Sequence, residues 1–264
     1  TSCLPFDLTK ADQPGAPTLL FSAGLGGAAE FWHPQRDALA GQFNILTYDQ
    51  RGTGRARTQL SNGHSITDMA DDVTEIIRMA DVGPCHLVGH ALGGLIGLQL
   101  ALDHPELLAS LIVVNGWASP NSHTRRCFCT RRKLLAGVGI RAYVEAQPLF
   151  LYSPAWSVAH DDQIRSEIEH GLENFQGESN LLCRIEALLS FDIAERLHDL
   201  HTLTLVCASK DDMLVPWSCS TLLAESLPNA ELTTVDSGGH GYTVTDPESF
   251  NRSLLSFLNA QFLA

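Results

Sequence analysis

The segment Val-Gly-His-Ala-Leu-Gly-Gly at residues 88–94 decides the fold of this chain. It ends a short apolar run at residues 86–89 and leads into apolar residues at helical spacing over residues 92–104. Its spacing is that of the frame Gly-x-Ser-x-Gly, with Ala91 at the serine position. In that frame the central residue occupies a sharp turn that lifts its side chain above a parallel sheet, and the glycines let strand and helix pack closely.

Strand-like and helix-like patterns alternate along most of the chain. Short, nearly continuous apolar runs are typical of strands covered on both faces. They occur at residues 18–23, 44–48, 86–89, 111–115, 203–208 and 231–236, with a weaker one near 2–8. Helical patterns lie at residues 68–80, 92–104, 218–227 and 248–263. The alternation predicts an α/β fold with a doubly wound, mostly parallel sheet and right-handed crossovers.

The alternation is interrupted between residues 117 and about 199, a segment we call the cap. Helical patterns follow one another there without a convincing strand, at residues 125–136, 140–147, 163–174 and 180–189. Inserted after a core strand, they would cover the carboxyl edge of the sheet, where ligands of open α/β sheets bind. We predict one domain over residues 1–264, with its core at 1–116 and 200–264 and a helical cap at about 117–199.

An acid and a histidine follow the elbow in the chain order that the frame requires. His240 comes just after the last predicted strand, and Asp212 follows the strand before it. Asp211 competes for the role of the acid, and the four-residue offset to Pro216 favours Asp212. Ala91, Asp212 and His240 are therefore the predicted catalytic positions, with His240 as a general base oriented by Asp212.

A glycine-rich stretch at residues 23–27 follows the first core strand. Its exposed N–H groups suggest an oxyanion hole made by the main-chain N–H of Leu25 and that of Leu92. Ala91 offers no nucleophile, so a two-step acyl transfer is excluded. Removal of a serine hydroxyl leaves space for a water molecule, and His240 is expected to activate that water.

Composition restricts the partners of the chain. Seventeen Lys and Arg against thirty Asp and Glu give a net charge of −13, which argues against nucleic acid. No apolar run reaches the roughly 18 residues of a membrane span, and no leader pattern opens the chain, so we expect a cytoplasmic protein without membrane contact. The seven cysteines show no metal-ligand spacing and indicate free thiols in a reducing compartment. We predict no cofactor and no metal.

Five cations lie within nine residues at the entry to the cap, from residue 125 to 133. A solvated helix face explains most of them. Arg125 and Arg126 lie closest to the cap entry, and we predict that one of them binds a substrate carboxylate. Trp117, just past the end of a core strand, is predicted to line the pocket, with plain core packing as the alternative.

Several blocks of the chain resemble the RutD-type hydrolases of bacterial pyrimidine degradation. The core blocks, at residues 25–27, 48–54, 88–93 and 239–240, are shared by the whole α/β-hydrolase superfamily. The cap blocks are the specific ones and lie at residues 115–117, 123–128, 144–152 and 175–177. The resemblance covers about residues 19–246. It implies an α/β-hydrolase fold and hydrolysis of aminoacrylate or, in another assignment, carbamate. It also implies that alanine at position 91 is the natural residue.

Three interpretations follow from these observations. The first is a hydrolase that uses water to break a C–N bond in a small anionic substrate. The second is a catalytically inactive protein that binds a small metabolite, although such a protein has no reason to keep the pair of His240 and Asp212. The third is a serine esterase that carries a Ser-to-Ala substitution at position 91.

Overall fold

The computed structural model describes residues 4–262. Seven strands form a single sheet in the order β1-β3-β2-β4-β5-β6-β7. The first strand pairs antiparallel with β3, and every other pair is parallel. The strands are β1 (Phe6–Thr9), β2 (Thr18–Ser22), β3 (Asn44–Tyr48), β4 (Cys85–His90), β5 (Leu108–Val114), β6 (Thr204–Ser209) and β7 (Ala230–Val235). The predicted α/β-hydrolase fold with a doubly wound, mostly parallel sheet is confirmed.

Helices cover both faces of the sheet. The core helices are α1 (His33–Leu39), α2 (Ile66–Ala80), α3 (Leu92–Asp103), α10 (Ser218–Ser226), α11 (Tyr242–Thr245) and α12 (Pro247–Phe262). Alternate side chains of a strand point to opposite faces. Leu20 accordingly packs in the cluster that contains α2 and α3, whereas Leu19 and Phe21 pack in the cluster that contains α1 and α12. Both faces are therefore buried, which explains the continuous apolar runs of the central strands.

The cap contains six helices inserted between β5 and β6. They are α4 (Ser122–Gly137), α5 (Ile140–Glu145), α6 (Gln147–Leu151), α7 (Pro154–Ala159), α8 (Asp161–Glu173) and α9 (Glu178–Ser190). Four of them correspond to the predicted cap patterns. The short helices α6 and α7 and the core helix α1 were not predicted, because runs of five to seven residues, each with a proline in the first turn, show little periodicity.

The turn between β4 and α3 explains the glycines of the elbow. A Cβ atom at Gly89 would overlap the main chain of Gly93 and Gly94, and one at Gly93 would overlap the main chain of Ser22 and Ala23. The strand and the helix therefore approach so closely that no side chain fits between them.

Some expectations for the termini extend past the described part of the chain. The weak strand predicted near residues 2–8 begins at Phe6, and residues 2 and 3 lie outside the described residues. The last predicted helix ends at Phe262 in the described part, and residue 263 lies outside it. Within residues 4–262 no helix is long and apolar enough to cross a membrane.

Candidate active site

Ala91 lies on a sharp turn between the end of β4 and the start of α3. Its backbone has φ 47° and ψ −112°, a region that L-residues rarely adopt. Its N–H donates to the carbonyl oxygen of Val114 at 2.8 Å, and its side chain is buried. The strained turn of a nucleophile elbow is thus present, although its central side chain is a methyl group.

His240 and Asp212 form a buried pair at the carboxyl edge of the sheet. Nδ1 of His240 lies 2.7 Å from Oδ2 of Asp212. The other carboxylate oxygen of Asp212 accepts the N–H groups of Leu214 and Val215, at 2.8 and 2.9 Å. A carboxylate oxygen only accepts, so Nδ1 of His240 is the donor of this hydrogen bond, and Nε2 is the ring nitrogen that remains for another partner. The imidazole is therefore oriented as a base.

Asp211, the competing acid, has a different partner. Its Oδ1 accepts the N–H of Gly239 at 2.8 Å and the hydroxyl of Ser209 at 2.6 Å, and its Oδ2 accepts the N–H of Gly238 at 3.3 Å. The carboxylate therefore holds the two-glycine loop that carries His240. Both glycines have positive φ, 142° and 71°, which this turn requires.

Hydrogen bonds from the sheet and from the cap hold the main chain around His240. Its carbonyl oxygen accepts Nε2 of His90 at 2.8 Å and Nδ2 of Asn115 at 2.7 Å. On the cap side, the N–H of Gly241 donates to the carbonyl oxygen of Leu151, at the end of α6, at 2.8 Å. Three neighbouring segments, at His90, Asn115 and Leu151, therefore hold this loop in addition to Asp211 and Asp212.

His90 is a neutral histidine beside the elbow. Because its Nε2 donates to a carbonyl oxygen, its Nδ1 is an acceptor, and that atom is buried without a hydrogen-bond partner among the described residues. Burial, with a smaller contribution from the nearby His240, lowers the pKa of His90 to about 3. Its ring stacks on Phe31, with centroids 4.8 Å apart.

The loop that carries Leu25 is braced by a fully buried arginine from the cap. Nη2 of Arg184, on α9, donates to the carbonyl oxygen of Leu25 at 3.1 Å and to Oε1 of Gln50 at 2.5 Å. Nε2 of Gln50 in turn donates to the carbonyl oxygen of Ala23 at 2.6 Å. Burial lowers the pKa of Arg184 to about 10, so the guanidinium stays charged at neutral pH. Gly24 lies so close to His90 that a Cβ atom there would be 2.9 Å from the imidazole Nδ1.

A cavity of about 350 Å³ lies between the sheet edge and the cap. It brings together five of the predicted site residues: Leu25, Ala91, Leu92, Trp117 and His240. Asp212 lies beneath His240 and is not part of the lining.

Four buried polar atoms of residues that line this cavity have no partner among the described residues: His90 Nδ1, Trp117 Nε1, Arg131 Nε and Gln176 Oε1. The described residues contain no group of three or more His, Cys, Asp or Glu side chains arranged for a metal ion.

Arg125 and Arg126, the predicted carboxylate ligands, do not line this cavity. Both are exposed, and Arg125 donates to the carbonyl oxygens of Pro120 and Leu189 at 3.2 and 3.0 Å. The arginine of the cationic run that does reach the cavity is Arg131. The signal for it was present in the sequence, since Arg131 follows the apolar Cys127 and Phe128 by four and three residues and so shares their face of the helix.

Comparisons with known proteins agree with this architecture. Residues 17–148 match the family described as alpha/beta hydrolase fold. The chain is 50% identical to a protein of Serratia proteamaculans named "Putative carbamate hydrolase RutD" over 96% of the chain and 95% of that protein. A protein of the same name from Variovorax paradoxus is 52% identical over 91% of each. The enol-lactonase from Burkholderia xenovorans LB400 has a similar fold, with a TM-score of 0.87 at 20% identity over 97% of this chain and 96% of that one. This protein therefore belongs to the RutD family of α/β-hydrolases.

Proposed function

We propose that the protein hydrolyses a small carbamate-type C–N substrate in pyrimidine degradation, with water in place of a serine nucleophile. The observation that carries this proposal is the retained pair of His240 and Asp212, 2.7 Å apart, beside an elbow that holds a methyl group. A protein that only binds a metabolite has no need of a buried, oriented base. The relatives' name supplies the reaction class, since carbamate is the substrate for which those proteins are named.

In this proposal His240 is the general base. Its Nε2 takes a proton from a water molecule that lies over Ala91, in the space that a serine hydroxyl would fill. The water oxygen bonds to the carbamate carbon, and the negative charge that develops on the oxygen faces the N–H groups of Leu25 and Leu92. Leu92 begins α3, where the first N–H groups have no acceptor within the helix. Leu25 N–H makes no main-chain hydrogen bond in the described loop.

The reaction closes with return of the proton. His240 gives it to the substrate nitrogen, the C–N bond breaks, and carbamate plus water yields ammonia plus bicarbonate. Positioned acid–base chemistry of this kind contributes about 10²–10⁴-fold. That contribution suits a substrate that already hydrolyses readily in water.

Aminoacrylate is the second candidate, and the cavity has room for this larger substrate. A water molecule takes about 30 Å³ in the liquid. A space of about 350 Å³ therefore exceeds what carbamate, with four heavy atoms, and one attacking water require. Hydrolysis of the imine tautomer of aminoacrylate uses the same base and the same water. It releases ammonia and an aldehyde acid.

The test is turnover of each substrate, generated enzymatically in the assay, by the wild-type protein and by His240→Ala. Ammonia release above the uncatalysed rate is measured with both substrates. We expect the wild-type protein to accelerate one of them and the variant to lose that acceleration with its thermal unfolding unchanged. Equal rates for the wild-type protein and the variant would contradict the role of His240. No acceleration of either substrate would leave the binding-protein interpretation.

A further inference from the structure

The cap places a buried cation in the cavity wall that the mechanism above does not use. Arg131, on α4, is 4% exposed and lines the same cavity as Ala91 and His240. Among the described residues that line this cavity it is the only lysine or arginine. Its neighbour on the helix, Arg132, points away from the cavity and forms a surface ion pair with Glu186 at 3.1 Å.

The charge of Arg131 has no carboxylate partner among the described residues. Its Nη2 donates to the hydroxyl oxygen of Tyr143 at 2.9 Å and to Oε1 of Gln147. Both acceptors are neutral. Its Nε is buried and has no acceptor in the described part of the chain. The guanidinium therefore keeps donors, and a full positive charge, for a group that the protein itself does not supply.

Three aromatic rings surround this charge. The guanidinium carbon lies 5.0 Å from the ring centroid of Phe128, 5.4 Å from that of Tyr143 and 5.5 Å from that of Phe150. Such contacts offset part of the cost of burying a cation, but a ring face does not supply the acceptor that the N–H of Nε lacks. In these buried, largely aromatic surroundings an ionic hydrogen bond to a ligand is stronger than in water.

We propose that Arg131 binds the carboxylate of the substrate and makes the cavity selective for a small monocarboxylate. This inference names the substrate charge of the site proposed above and rests on that function for the identity of the reaction. A buried charge without a partner is costly, and an anionic ligand removes that cost, whereas a neutral amide of the same shape does not. A dicarboxylate brings a second charge that finds no second cation. It meets Glu167 instead, whose carboxylate also lines the cavity and accepts the hydroxyl of Tyr152 at 2.7 Å.

Binding of unreactive probes tests this inference without any turnover. Propionate, its neutral isostere propionamide and the dianion malonate are titrated into the protein at pH 7.5 and followed by NMR. The wild-type protein is expected to bind propionate at least tenfold more tightly than either of the other two. Added salt should change this affinity little, because a desolvated pair is poorly screened.

Two variants change the partner of the anion in different ways. Arg131→Met removes the charge and should lower propionate affinity at least tenfold while leaving propionamide affinity unchanged. Gln147→Glu keeps the arginine but gives it an internal carboxylate at the position of the present amide oxygen. That variant should show the same loss, so it decides the question if Arg131→Met fails to fold. Arg132→Met, on the surface side of the same helix, is the matched control and should bind like the wild-type protein.

The outcomes separate the anion site from the proposed reaction. His240→Ala should bind propionate as the wild-type protein does, even though it loses turnover. Propionate affinity that is unchanged in a folded Arg131→Met or in Gln147→Glu would overturn the inference. So would a wild-type protein that binds propionamide as well as propionate. Arg131 would then serve only to join α4 to α5 and α6.

Discussion

The carboxylate of Asp211 lies 2.8 Å from the main-chain nitrogen of Gly239, the residue directly before His240. Its neighbour Asp212 binds the imidazole of that same histidine. Two adjacent acids therefore fix one loop in two ways, the first through its backbone and the second through its side chain. Their roles differ in kind, and substitution of each should show it.

Asp212→Asn should abolish most of the about 10²–10⁴-fold contribution of the base, because an amide neither fixes the Nδ1–H tautomer nor stabilises the imidazolium. Asp211→Asn should lower kcat about tenfold through displacement of the loop, since misplaced catalytic groups lose rate steeply. Steady-state ammonia release measures both variants. Ser209→Ala, which removes one donor to Asp211 but leaves both glycine N–H bonds, is the control and should lower the rate less than Asp211→Asn. A larger loss in Asp211→Asn than in Asp212→Asn would reverse the assignment of the acid.

Ala91→Ser should create an esterase. The turn already has the backbone of a nucleophile elbow, φ 47° and ψ −112°, and His240 already has the orientation of a base. The added hydroxyl completes a Ser-His-Asp set, so the variant should hydrolyse p-nitrophenyl acetate with a burst of acyl-enzyme formation. The double variant Ala91→Ser with His240→Ala is the control and should show no burst. An esterase rate in the parent protein equal to that of Ala91→Ser would show that water attack already suffices for esters.

Arg184→Met should destabilise the protein by about 3 kcal/mol, because the charged donor to Gln50 and Leu25 disappears and buried acceptors lose their partner. Urea unfolding measures this change. Arg132→Met is again the matched control and should cost less than about 1 kcal/mol, as its ion pair is exposed. At a temperature where Arg184→Met is fully folded, its kcat should still be reduced, because the loop that carries the proposed oxyanion donor Leu25 has lost the hydrogen bond from Arg184. A kcat equal to that of the wild-type protein would limit Arg184 to a structural role.

The stability of the protein should fall as the pH falls below about 6.5. Burial lowers the pKa of His90 to about 3, below its ordinary value, so the unfolded chain binds a proton that the folded chain does not. The contribution of His90 to stability is therefore fully present above about pH 6.5. Between that pH and about 3, protonation of His90 in the unfolded chain lowers the free energy of unfolding by about 1.4 kcal/mol per pH unit. Burial also lowers the pKa values of His64 and His86, which adds to the slope.

The measurement is the free energy of unfolding by urea at pH values from 7.5 to 4.5. His90→Gln keeps a donor for the carbonyl oxygen of His240 and removes the titrating group. The slope of its unfolding free energy against pH should be smaller than that of the wild-type protein by up to about 1.4 kcal/mol per pH unit, which is the contribution of one proton. A slope identical in the two proteins would show that folding does not lower the pKa of His90.

The proximity of the three proposed catalytic positions could be predicted from the sequence because it depends on topology alone. Ala91, Asp212 and His240 each follow the carboxyl end of a parallel strand, and those ends meet at one edge of the sheet. No knowledge of side-chain packing is needed to bring them together. The same holds for Leu25, which follows β2.

Which cation reaches the cavity depends instead on helix phase, which is indicated by spacing from the apolar residues of the helix and not by distance from the cap entry. The helix α4 begins at Ser122, capped by Asn121, three residues before the predicted start. From that start its buried face carries Thr124, Phe128 and Arg131, and it turns Arg125 and Arg126 outward. Proximity to the cap entry was therefore the wrong criterion for contact with the cavity. The hydrogen bonds of Arg184 to Leu25 and Gln50 were not predicted either, because these partners lie more than 130 positions away in the chain.

The main-chain N–H of Gly241 donates a hydrogen bond to the carbonyl oxygen of Leu151 and so joins the loop around His240 directly to the cap. A Cβ atom at Gly239 would also lie only 2.7 Å from that same oxygen, so the two surfaces are in full contact. We expect a displacement of the cap at this point to displace the loop around His240 as well, because the two share a main-chain hydrogen bond. Replacement of the cap by that of another protein of this fold should therefore also require replacement of the loop around residue 240.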